Sequence, residues 1–173
     1  MPGQPARTFF RISDIVAGVG FIAMANVLMR WQPTRQASVA HLCAMGAGVS
    51  SMVDGLWPMS CAPSIDSSCR ATKETIHTTQ LVEPHTASSL IGFTALVCAI
   101  GLYGVVLTRT SGYRRLGASG LSAVAAILGS VDVIMCLTAS TALAGLVERI
   151  QVPVIAAWLA VLMLCVAGDR HWR

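Results

Sequence analysis

The sequence predicts an all-α fold, a polytopic transmembrane helical bundle of about five spans. Three observations carry that prediction. Charged residues make up 12% of the chain, against about 25% in a typical soluble domain. Hydrophobic residues reach 54%, and the mean hydropathy is +0.67. The charges fall between apolar runs close to the roughly 20 residues that a bilayer core requires. A soluble Ala- and Val-rich helical domain is excluded, because too little polar surface remains to cover a globule of this size.

The first span is 12–29, ISDIVAGVGFIAMANVLM, ended by Arg30 and the breaker Trp31-Gln32-Pro33. The second, 37–57, stops at Pro58. The third, 86–108, follows Pro84 and runs into the basic loop RTSGYRR. The fourth, 116–138, and the second are the least hydrophobic, and both carry an Asp. The fifth, 152–168, is followed by the polar tail DRHWR. Gly46, Gly48, Gly101, Gly104, Gly117 and Gly120 are small residues of the kind that let membrane helices approach closely. The expectation is therefore a single bundle domain over 1–173, with one long connection at 58–85.

The N-terminus also imitates a secretory signal, with Arg7 and Arg11, an apolar run and Ala23-Met24-Ala25. Asp14 at the head of that run argues against cleavage. Orientation follows from counting Lys and Arg. With the N-terminus outside, Arg30, Arg35, Arg109, Arg114, Arg115, Arg170 and Arg173 lie inside, seven against the five of Arg7, Arg11, Arg70, Lys73 and Arg149. The expected location is the cell membrane, multi-pass, N-terminus out and C-terminus cytoplasmic, with an extracytoplasmic loop at 58–85. The net charge of +4 does not imply nucleic acid, because no basic run with interleaved aromatics is present.

Cys43, Cys98, Cys136 and Cys165 fall inside spans, where free Cys serves as a small buried hydrophobe. Cys61 and Cys69 share a polar, turn-rich loop on the expected outer side, where a disulfide between them would persist. A reactive or metal-binding pair is the alternative, but C-x7-C matches no zinc or thioredoxin-like spacing.

The intramembrane acids are the sharper signal. A carboxylate at the bilayer centre costs at least about 2.5 kcal/mol, so such residues face a bundle interior or a wet cavity. Asp54 lies near the outer end of span two, and Asp132 about two-thirds along span four. Asp14 opens span one and His85 opens span three, with Glu83 just before it. Topology thus delivers Asp14, Asp54, His85 and Asp132 to a similar depth, beside Trp57. One reading is structural: Asp14 and His85 are helix-end residues, and Asp54 and Asp132 find hydrogen bonds within the bundle. The other is an outward-facing polar pocket, with Asp54, Asp132 and His85 as candidate catalytic acids, bases or ligands. His41 lies on the opposite side from His85, so the two do not make a haem pair. No nucleophile, phosphate-loop, zincin or dinucleotide motif is present, and the residues name neither a cofactor nor a metal.

The stretch GLWPMSCAPSIDSSC, followed by HTASS at the head of the next span, carries a resemblance. It resembles the bacterial integral-membrane proteins grouped as domain of unknown function 998, particularly actinobacterial members. The matching residues are Gly55, Trp57, Pro58, Met59, Cys61, Ala62, Pro63, Asp66, Cys69 and His85. Ser60 stands where many relatives have Asp, and relatives often carry an additional N-terminal span, so the resemblance implies a shortened or late-starting form. It implies an all-helical membrane bundle of unassigned function and supplies no catalytic residues.

Three functions fit these residues. The first is a module that binds a lipid or a membrane partner, including a second copy of itself. The second is an enzyme acting on a lipid or isoprenoid through Asp/His acid–base or metal chemistry. The third is a small proton-coupled transporter, although it lacks the internal repeat many transporters show.

Overall fold

A computed structural model describes residues 7–32, 34–57, 84–137 and 141–168, apart from the side chains of residues 7, 86, 131–137, 141–149, 152 and 153. These residues form helices α1 (Arg7–Trp31), α2 (Arg35–Leu56), α3 (Pro84–Arg109), α4 (Arg114–Leu137) and α5 (Thr141–Gly168). The fold class is all-α, as the sequence predicts. Three stretches are long and apolar enough to cross a membrane among the described residues: Thr8–Trp31, Arg35–Leu56 and Ala87–Arg109. Val154–Gly168 is a shorter apolar stretch of α5.

The helix bounds follow local chemistry more than hydropathy. Thr34 caps α2, its Oγ1 accepting from the Ala37 amide at 3.2 Å. Pro84 occupies the first position of α3, where its missing N–H costs nothing. Between α3 and α4 the chain turns through Thr110–Tyr113, with Gly112 at φ +86°, a left-handed conformation that glycine adopts without strain. Two helices exceed their expected spans by five residues or more. α1 begins five residues before the apolar run, and α5 begins at Thr141 rather than at 152 and continues through Pro153. Hydropathy marks the lipid-facing depth, whereas the backbone ladder continues past it.

Polar side chains inside the apolar helices are satisfied by the backbone one turn back. Ser13 Oγ donates to the Phe9 carbonyl at 2.9 Å, Asn26 Nδ2 to Ile22 at 2.8 Å, and Ser122 Oγ to Ala118 at 3.0 Å. In hydrocarbon no water is present to satisfy these donors otherwise.

The chain divides into two compact units, one of residues 1–26 and 42–96, the other of 27–41 and 97–173. In the first unit α1 and α2 pack backbone to backbone. A Cβ added at Gly18 would lie 2.5 Å from the Gly48 carbonyl oxygen, and one at Gly55 would lie 2.7 Å from that of Arg11. Gly46, also expected at a contact, is looser, with Ala95 Cβ at 3.9 Å. In the second unit α3 and α4 meet at Gly104 and Gly117, where a Cβ on Gly117 would stand 2.6 Å from the Gly104 carbonyl oxygen. Trp158 of α5 lies against Gly120, its Nε1 donating to the Leu116 carbonyl at 3.2 Å. Leu28, Ile100, Leu107, Leu162 and Val166 form the fully buried core there.

Candidate functional site

In the first unit, His85, Ser88 and Ser89 are spaced three and four residues apart on the first turns of α3. That spacing places all three on one helix face. The face meets Asp54, two residues before the end of α2. Ser88 Oγ donates to Asp54 Oδ1, and Ser89 Oγ donates to Oδ2 at 2.8 Å. Ser88 Oγ also lies 2.8 Å from the Pro84 carbonyl and 3.0 Å from that of His85. A hydroxyl carries one proton, so these three acceptors compete for it.

His85 Nδ1 stands 3.2 Å from Asp54 Oδ1. The distance suits an ion pair, yet the ring is out of line for a hydrogen bond, and Nδ1 is buried with no hydrogen-bond partner among the described residues. The side chains of His85 and Asp54 remain 25% and 16% exposed, so the site is recessed rather than sealed.

α1 adds the second acid. Asp14 is half-buried and within electrostatic range of both Asp54 and His85. Its backbone carbonyl accepts from Ser51 Oγ at 2.8 Å. Asp14 lies well inside α1 rather than in its first turn, so a helix-end role does not account for it. Arg11, one turn earlier, donates from Nε to the Gly55 carbonyl at 2.8 Å. That carbonyl is one of the last four of α2, where a cation offsets the helix dipole.

Asp14, Asp54 and His85, from three helices, thus lie near one another in the first unit. Trp57 is exposed just beyond α2. Asp132 lies in α4 with its side chain outside the described residues, and Glu83, Cys61 and Cys69 lie outside them altogether. The described cysteines Cys43, Cys98 and Cys165 form no disulfide with one another, and the expected Cys61–Cys69 pair falls outside the described residues. No group of three or more His, Cys, Asp or Glu is placed to hold a metal among the described residues.

A family model described as a protein of unknown function, DUF998, matches residues 1–165. The chain belongs to the DUF998 family. No curated protein and no solved structure matches it. Family membership and helices of membrane-spanning length make this DUF998 protein a membrane protein.

Two sets of contacts in the DUF998 chain went unread in its sequence, those of Ser88 and Ser89 with Asp54 and those of His41. Ser88 and Ser89 carry no signal beyond their spacing from His85. In the second unit His41 is 1% exposed, with Nδ1 2.6 Å from Tyr103 Oη and Nε2 3.4 Å from the Gln32 carbonyl. Both ring nitrogens are engaged by protein groups. The second unit also holds an almost wholly apolar cavity of about 270 Å³ between α4 and α5, beside a hydrogen bond from Gln151 Nε2 to Ser130 Oγ at 2.7 Å.

Proposed function

We propose that this DUF998 protein is a single-domain, multi-pass protein of the cell membrane whose outward-facing polar pocket, built on Asp54 and His85, binds a lipid or another membrane component. The observation that carries this reading is the fixed carboxylate of Asp54. It is held by two serine hydroxyls, with an unbonded imidazole nitrogen at 3.2 Å, on helices otherwise apolar enough to lie in lipid. A polar group so placed suits a ligand whose headgroup donates and accepts hydrogen bonds while its tail stays in hydrocarbon. Asp14 supplies a second acceptor, and Trp57 lies exposed just beyond the end of α2. The Lys/Arg balance supports an outer N-terminus and a cytoplasmic C-terminus.

The test is the lipid that accompanies the purified protein, measured by mass spectrometry for the wild type, Asp54→Asn and His85→Ala. The wild type should carry a defined lipid, and each substitution should reduce it about tenfold or more, the size expected for loss of a charge-assisted hydrogen bond. Unchanged lipid in variants with unchanged helicity would overturn the reading.

A second reading is favoured by the unbonded His85 Nδ1 alone. With Asp54 beside it, the imidazole would act as a general base at Nδ1, taking a proton from a water that attacks an ester of a lipid or isoprenoid and returning it to the departing alcohol as the ester bond breaks. Under that reading both substitutions abolish turnover while the lipid stays bound.

A further inference from the structure

The second unit gathers five arginines at one end. Arg30 closes α1, Arg35 opens α2, Arg109 closes α3, and Arg114 and Arg115 open α4. Direct contacts bring these ends together. Arg109 Nη1 donates to Gln36 Oε1 at 3.1 Å, and the rings of Trp31 and Tyr113 meet edge to face with centroids 5.1 Å apart. All five arginines are exposed. The acids whose side chains are described, Asp14 and Asp54, both belong to the first unit. Among the described residues these guanidinium groups therefore have no carboxylate to pair with.

We infer that this end is a binding surface for the phosphate headgroups of anionic phospholipids. Charge complementarity is the first ground: a basic cluster with no carboxylate partner among the described residues, joined by the N-termini of α2 and α4, attracts anions. The source of the anion follows from position. Arg30, Arg35 and Arg109 stand at the ends of helices long and apolar enough to cross a membrane, so they meet the bilayer where headgroups lie. Trp31 and Tyr113 are the aromatic residues found at that depth. Residue type is the second ground. Eleven of the chain's twelve basic residues are Arg, and every cation described on this surface is therefore a guanidinium. The guanidinium fork matches two oxygens of one phosphate, and an ammonium does not. The surface lies at the opposite end of α2 from Asp54, so it is independent of the ligand proposed there.

The test uses the full-length purified protein in mixed micelles of phosphatidylglycerol and phosphatidylcholine, with bound lipid counted by native mass spectrometry. The wild type should retain phosphatidylglycerol several-fold over phosphatidylcholine, and raising the salt should erode that preference, because exposed charges are screened. An Arg30→Gln, Arg35→Gln, Arg114→Gln and Arg115→Gln variant should bring it close to parity, while Lys at the same four positions should leave it intermediate. Equal retention of the two lipids by the wild type would overturn the inference without recourse to any variant. So would displacement of the lipid by inorganic phosphate at comparable concentration, which would assign the surface to a free anion.

Discussion

Asp54 is the residue on which the first unit turns. Its carboxylate accepts from Ser88 and Ser89 and faces His85, so truncating it leaves the Ser89 hydroxyl without its partner and removes an acceptor from Ser88 and the charge beside His85. Asp54→Ala should lower stability by about 1–3 kcal/mol, the usual penalty for leaving buried polar groups unpaired. Ser89→Ala removes one donor only and should cost about 0.6 kcal/mol, the average for an interhelical hydrogen bond in a membrane protein. Both are measurable by titrating unfolding with a denaturing detergent. Tyr103→Phe should exceed Ser89→Ala in the same assay, at about 1–3 kcal/mol, because it leaves Nδ1 of the buried His41 without its 2.6 Å partner. The meeting of Asp14, Asp54 and His85 was legible because counting spans fixes depth. The His41–Tyr103 pair was not, since two residues 62 apart on different helices share no period that a sequence displays.

Between helices, close approach is set by a few glycines, and only some of them announce themselves. Gly48, Gly104, Gly117 and Gly120 stand at tight contacts, whereas Gly46 and Gly101, equally plausible by sequence, have only ordinary contacts at 3.9 Å. Small size permits contact but does not say which face meets a neighbour. Gly18 shows the consequence. A Cβ there would strike the Gly48 carbonyl at 2.5 Å, while Gly20, two residues on, has nothing within 4 Å. Gly18→Ala should therefore cost about 1–3 kcal/mol by forcing α1 and α2 apart, and Gly20→Ala should be close to neutral. Helix limits were read less well than helix existence. The run of α5 through Pro153 was missed because a proline removes one backbone hydrogen bond without ending a long helix supported on both sides.

For the molecule as a whole, composition alone settled the membrane: so few charges cannot clothe a soluble protein of this length. The all-α class follows, because a helix satisfies its own backbone in lipid. Orientation rests on a margin of seven basic residues to five, which weighs the arginine-rich turn between α3 and α4 against a long loop. It also decides on which side the Asp54–His85 site opens, and so from where a ligand would enter. His85→Cys in a cysteine-free background places a thiol at that site. A membrane-impermeant thiol reagent should label it in intact cells, while a thiol at Ser111→Cys in the arginine-rich turn should react only after permeabilisation. Labelling of the His85→Cys thiol only after permeabilisation, or not at all, would contradict an outward-facing pocket.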